Sequence, residues 1–232
     1  MFIQKEMKLL VNAEYANQSQ RLFKINKGEY GYGDSFIGIR MPELRKLAKK
    51  HSDLRITSLT KLIKSKIHEE RLVGLLILVY KYKSAKSEVE KDEIFSAYLK
   101  HFKYINNWDL VDVTCPYIVG AHLVDKNRRV LYEWARSDHL WTKRIAIVSN
   151  WWFIRNGDLK EVFKISKILL RDEHDLIHKA VGWMLREAGK KHQESLEDFL
   201  VKYYAVMPRT MLRYAIEKFP ESKRQKYLKG TI

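Results

Sequence analysis

Trp108 and Asp112 lie four residues apart in the stretch Asn106-Asn-Trp-Asp-Leu-Val-Asp-Val-Thr-Cys-Pro-Tyr-Ile-Val-Gly. In a helix this spacing sets the indole one turn from the carboxylate on the same face. An acid beside an electron-rich ring can stabilise positive charge. Asn106 is the expected N-cap, with Asp109 in the first turn, where a negative charge suits the helix dipole. Val111, Val113, Tyr117, Ile118 and Val119 make the segment apolar nearly all round, which predicts a helix enclosed by neighbours. Pro116 lacks the N–H that would bond the carbonyl of residue 112, so a kink is expected at the turn bearing the acid.

A second group of candidates is cationic. Arg71, Lys143, Arg144, Lys179 and Arg209 fall in or near the first turns of segments that continue apolar, such as Arg71-Leu-Val-Gly-Leu-Leu-Ile-Leu and Lys143-Arg-Ile-Ala-Ile-Val. A cation there opposes the helix dipole, so an anion is expected to complete the site, met by amide N–H groups and side-chain charge together. The alternative is pairing with acids of adjacent helices. His174 and His178 share a helical face, but no third ligand and no His-Glu-x-x-His pattern accompanies them, so no metal site is expected.

The elements that must position these residues are helical throughout. With four prolines and ten glycines, period-3.6 patterns dominate from end to end. Residues 3–24 read as one amphipathic helix. Gly28–Ile39 is a glycine- and tyrosine-rich loop, and Pro42 opens the helix after it. No Gly-Lys-Ser/Thr follows that loop, which excludes a P-loop. From residue 57 the helices come in pairs. Mixed members cover 57–65, 86–101, 125–135, 158–169 and 193–203, and apolar members carry the cations. The step from Arg144 to Lys179 is 35 positions and from Lys179 to Arg213 it is 34. This period predicts an α-solenoid of helix pairs, a single domain over 1–232, with the cations forming a basic stripe along a concave groove.

Composition narrows the partners. The chain has 44 basic and 28 acidic residues, a net charge of +16, which favours a polyanion. Cys115 is the only cysteine and reads as an inert core thiol, as in a reducing cytoplasm. The first turns carry charge, so no signal peptide is expected, and no apolar run is long enough for a membrane span.

Four segments in this order resemble the DNA alkylation repair family of HEAT-like-repeat, AlkD-like glycosylases. They are Gly33-Asp-Ser-Phe-Ile-Gly-Ile-Arg-Met-Pro-Glu-Leu-Arg-Lys, Asn107-Trp-Asp-Leu-Val-Asp, Trp141-Thr-Lys-Arg-Ile-Ala-Ile-Val-Ser and His178-Lys-Ala-Val-Gly-Trp-Met-Leu-Arg-Glu. The resemblance implies a monofunctional enzyme that hydrolyses the N-glycosidic bond of N3- and N7-alkylated purines in duplex DNA, the base staying largely stacked. It implies Asp112 as the catalytic carboxylate, Trp108 and Trp183 as aromatic walls against the lesion nucleotide, and Arg144 as the phosphate-binding cation. Lys143, Lys179, Arg71, Arg209 and Arg213 are the further expected DNA contacts. No metal or cofactor is expected, and the protein is expected to act as a cytoplasmic monomer. A Schiff-base route through Lys143 or Lys179 is disfavoured, because burial beside phosphates works against a neutral amine. The rival reading is a catalytically silent helical-repeat scaffold that binds branched or damaged DNA, or RNA; such a scaffold would have no need of Asp112.

Overall fold

The computed structural model describes residues 2–232, and every regular element among them is a helix. None of these helices is long and apolar enough to cross a membrane. The chain forms two compact units, one reaching to Ile118 and the other running from Val119 to the end.

The first unit contains α1 (Phe2–Lys8), α2 (Ala13–Leu22), α3 (Met41–Lys50), α4 (Ile56–Ile63), α5 (His68–Ser84), α6 (Glu88–Lys100) and α7 (Trp108–Asp112), with one 3-10 turn at Phe102–Tyr104. The helix expected over 3–24 is broken. Asn12 caps α2 by accepting a bond from Tyr15 N (2.8 Å), and its own amide donates to the Ile37 carbonyl (3.0 Å). A continuous helix would forfeit both. The loop clasps this break closely: Gly38 has φ +78°, and a Cβ there would lie 1.9 Å from the Asn12 carbonyl oxygen. Only glycine fits.

Helix α5 is the axis of this unit. Residues His68 to Val79 are all buried, and α3, α4, α6 and α7 pack around them. An all-round apolar surface requires such enclosure. Its first turn is nonetheless charged, and each charge has an internal partner. Glu69 accepts bonds from the amides of Ile37 (3.1 Å) and Gly38 (2.7 Å). The His68 ring lies between two carboxylates, with Nε2 2.8 Å from Asp109 and Nδ1 3.2 Å from Asp34. Arg71 donates to Asp34 (2.6 Å), to Asn106 Oδ1 (3.0 Å) and to the Ser65 carbonyl (2.9 Å). Arg71 was expected to face DNA; it is 3% exposed, and the anion that answers it is Asp34.

The second unit contains α8 (Arg129–Ala135), α9 (Leu140–Val148), α10 (Asn150–Arg155), α11 (Lys160–Leu169), α12 (Asp175–Lys191), α13 (Gln193–Tyr203), α14 (Arg209–Ala215) and α15 (Glu221–Lys229). α12 packs on α9 and α14, making one row, while α8 packs on α9 and α11 and α13 pack on α12 as the partner members. Gly182 allows a close approach of α12 and α14: a Cβ there would meet the Met211 carbonyl oxygen at 2.5 Å. The 34–35-residue step in the sequence therefore follows real helices, Arg144 lying on α9, Lys179 on α12 and Arg213 on α14.

The buried ion pairs generate a pH dependence. Burial alone would lower the His68 pKa, but the charge of Asp109 and the hydrogen bonds that the ring donates to Asp109 and Asp34 raise it to about 9. A group whose folded pKa is raised contributes stability that is complete below its unfolded value, near 6.5, and is lost as pH rises through 9. The expected loss between these limits is about 3 kcal/mol. His68→Gln is expected to cost about 3–5 kcal/mol at neutral pH, since it leaves buried carboxylates short of a partner, and to flatten this pH dependence. Urea titrations followed by circular dichroism below pH 6.5 and above pH 9 check both; equal midpoints for the parent protein would refute the assignment.

Candidate functional site

Helix α7 is only five residues long and has little stability of its own. Contacts around its first turn hold it. Its N-cap is Asn107 rather than Asn106; the Asn107 side chain accepts from Trp108 N (2.8 Å). Asn106 is drawn into the buried network, bonding Arg71 and donating to Asp34 Oδ1 (3.1 Å). Asp109 does more than complement the dipole: it is buried on His68, and so ties α7 to α5.

Trp108 is half-buried and stacked. Its ring lies 4.9 Å from that of Phe23 at 20°, Phe23 lies 5.1 Å from Phe36 at 15°, and Phe36 lies 4.5 Å from the His68 ring at 21°. These rings border a cavity of about 220 Å³ that also touches Tyr15 and Val113. Sequence reasoning missed Phe23, Phe36 and His68. The only available signal was that Phe36 sits in the glycine-rich loop and His68 among charges opening an apolar helix; nothing in the spacing pairs either with Trp108.

Asp112 is the last residue of α7 and is half-buried, one turn beyond Trp108 as the spacing requires. The helix ends there. The Thr114 hydroxyl bonds the Leu110 carbonyl (2.5 Å), and Pro116–Gly120 forms a π-helical turn. Where Pro116 led to the expectation of a kinked but continuous helix, the α-helix stops at Asp112, which sets the carboxylate at a helix end.

In the second unit the candidates share the α9–α12–α14 row. Arg144 on α9 is 5% exposed, and its Nη1 donates to the Leu176 carbonyl of α12 (2.5 Å). Lys143 beside it pairs with Asp172, and Lys179 pairs with Asp175 across one turn (2.6 Å). Trp183, one turn beyond Lys179, is half-buried, while Arg209 and Arg213 on α14 are exposed. His174 accepts the α12 capping bond from Leu176 N (3.1 Å), and His178 Nε2 bonds the Asp172 carbonyl (2.5 Å). The structure thus brings Trp108 and Asp112 together in the first unit and gathers Arg144, Lys143, Lys179, Trp183, Arg209 and Arg213 on one helical row of the second.

Comparison with known proteins agrees with the helical architecture. A solved structure described as a predicted DNA alkylation repair enzyme from Enterococcus faecalis superposes with a TM-score of 0.71 at 17% identity, covering 91% of this chain and 97% of that one. No curated protein matches. The model of one family, described as DNA alkylation repair enzyme, matches residues 3–219. The protein therefore belongs to the DNA alkylation repair enzyme family.

Proposed function

We propose that this protein is a monofunctional DNA glycosylase that removes cationic N3- and N7-alkylated purines from duplex DNA. The observation that carries this reading is the Trp108–Asp112 pair on α7, an aromatic face and an acid one turn apart at a helix end, in a chain of a DNA repair family. Scission of the C1′–N bond leaves an oxocarbenium-like sugar. An anion at Asp112 stabilises that charge and orients the attacking water, whose oxygen bonds C1′ while its proton is released. The ring of Trp108, held by Phe23, offers its face to the same cation, and Trp183 is assigned as a second wall. Arg144 is assigned to a backbone phosphate, its planar fork suiting phosphate oxygens. Lys143, Lys179, Arg209 and Arg213 supply further contacts; Arg71 leaves this set because its donors serve the interior. Residues 1–232 act together as one DNA-binding domain, as a monomer, with no metal or cofactor assigned a role.

Asp112→Asn keeps the shape of the side chain but removes its charge. Duplex binding should be near normal while single-turnover base release falls by two orders of magnitude or more, roughly 3 kcal/mol of transition-state stabilisation. Full activity in a folded Asp112→Asn protein would end the assignment.

Arg144→Ala should weaken duplex binding and flatten the plot of log affinity against log salt by about one unit, the contribution of one phosphate contact. An unchanged slope would assign Arg144 to the protein's interior, where it holds α9 on the Leu176 carbonyl.

Such a site would discriminate among lesions. N7-methylguanine and N3-methyladenine nucleotides carry a positive charge on the base, so the base leaves neutral. Hypoxanthine and uracil need a proton donor to leave. His68 cannot serve, because its two ring nitrogens are engaged by Asp34 and Asp109. Cationic alkylpurines should therefore be released at neutral pH with enzyme in excess, and hypoxanthine or uracil in the same duplex context should not. Comparable rates on hypoxanthine would overturn the mechanism.

A further inference from the structure

Several cations of the second unit are matched by acids. Arg128 pairs with Asp158 (2.5 Å), Lys143 with Asp172, Lys190 with Glu187 (2.8 Å), Lys223 with Glu197 (2.6 Å) and Arg186 with Glu217. The face formed by α11 and α13 is distinct in gathering four lysines around one hollow. Lys160, Lys164 and Lys167 follow one another at four and three residues along one side of α11, and Lys202 stands on α13. All four are exposed, and among the described residues Lys164, Lys167 and Lys202 enter no ion pair. Asp198 is the only acid on the rim.

The four lysines surround a cavity of about 480 Å³, and its floor is aromatic. Phe163 of α11 lies 5.5 Å from Phe199, which lies 4.8 Å from Tyr203 one turn along α13. Lys167 Nζ stands 5.9 Å from the Tyr203 centroid. A merely solvated lysine face needs no such hollow. Like charges one turn apart repel by a few tenths of a kcal/mol per pair, and leaving them together beside exposed ring surface suits a ligand that brings both anions and flat apolar groups. Single-stranded nucleic acid has this chemistry: a phosphate at each step and an unstacked base that lies on a ring. A duplex keeps its base faces inside and offers no ring to the floor. The helices involved are the partner members of the pairs, not the α9–α12–α14 row that carries Arg144 and Trp183.

We propose that the α11/α13 face is a second nucleic-acid site, binding a single strand through Lys164, Lys167 and Lys202 at phosphates and through the Phe163 and Tyr203 rings at a base. The test is fluorescence anisotropy of a labelled oligo-thymidylate with the full chain over a range of salt. Lys164→Glu with Lys202→Glu is expected to weaken binding at least about tenfold and flatten the salt dependence by about 0.7 per lost contact. Tyr203→Leu, which keeps bulk without the aromatic face, is expected to weaken it roughly fivefold or more. Base release from alkylated duplex should be unchanged in both, since none of these residues belongs to the proposed catalytic set. Circular dichroism checks folding, and Lys164→Gln with Lys202→Gln replaces the reversed pair if that pair does not fold. Unaltered oligo-thymidylate affinity in the lysine variants would overturn the site. So would equal affinity for an abasic oligomer of the same length, which carries the phosphates without the bases. Loss of binding to phosphatidylglycerol vesicles with oligo-thymidylate affinity intact would assign the face to a membrane surface and also overturn it.

Discussion

The first unit depends on charge buried at the start of α5. Two carboxylates, Asp34 and Asp109, face two cations, His68 and Arg71, and all four side chains are nearly excluded from water. Desolvation of each ion is expensive, and mutual attraction offsets it only when geometry and hydrogen bonding are nearly complete. Asp34 illustrates the balance. Burial pushes its pKa up, yet the hydrogen bond from His68 and the charge of Arg71 hold it below the usual carboxylate range. The network specifies one arrangement, because any slip of the loop or of α7 leaves a bare charge in the interior. It thereby joins a loop residue, the first turn of α5 and the first turn of α7, which lie as far apart in sequence as Asp34 and Asn106.

This constraint reaches the candidate site through a short path. A five-residue helix cannot hold a carboxylate in place by its own hydrogen bonds, because the nucleating turn costs more than it returns. Asp109 fixes one side of α7 on His68, the Asn107 side chain fixes its start, and Trp108 is wedged on Phe23. The same His68 ring supports Phe36 and closes the stack behind Trp108. Electrostatics on one side of α7 and ring stacking on the other thus set the direction in which Trp108 and Asp112 project.

What the sequence disclosed follows from where the determining forces lie. Mixed helices expected at 158–169 and 193–203 stand at Lys160–Leu169 and Gln193–Tyr203, because their apolar spacing is local information. Pro116 signalled a disturbed helix at Asp112 for the same reason, a missing N–H being a property of one residue, although the expected kink is in fact the end of the α-helix. The misread positions are those decided by distant partners. Asn106 and Asn107 are chemically identical candidates for the cap, and Asp34, far away in the chain, draws Asn106 elsewhere. Residues 9–12 carry no proline or glycine, so the break before α2 became visible only once the Ile37 carbonyl and Gly38 backbone were seen against Asn12. Arg71 was rightly marked as a cation awaiting an anion, but its anion lies inside the protein.

That last case separates the cations into kinds that a formula count merges. Arg71 is neutralised in the interior, and Lys143 and Lys179 are balanced at half-buried positions by Asp172 and Asp175. Such charges add little to the long-range field, because partner and cation cancel within a few ångströms. Arg209, Arg213 and the α11/α13 lysines are exposed and carry more of the +16 outward. Arg144 is of a third kind. Its burial removes it from steering, but the Leu176 carbonyl fixes its guanidinium, so less side-chain entropy remains to be lost on meeting a phosphate. In the proposed glycosylase the exposed cations thus govern how fast DNA arrives, and the anchored arginine governs where a phosphate comes to rest. These duties depend differently on salt, because a Debye length near 8 Å screens the first far more than the second.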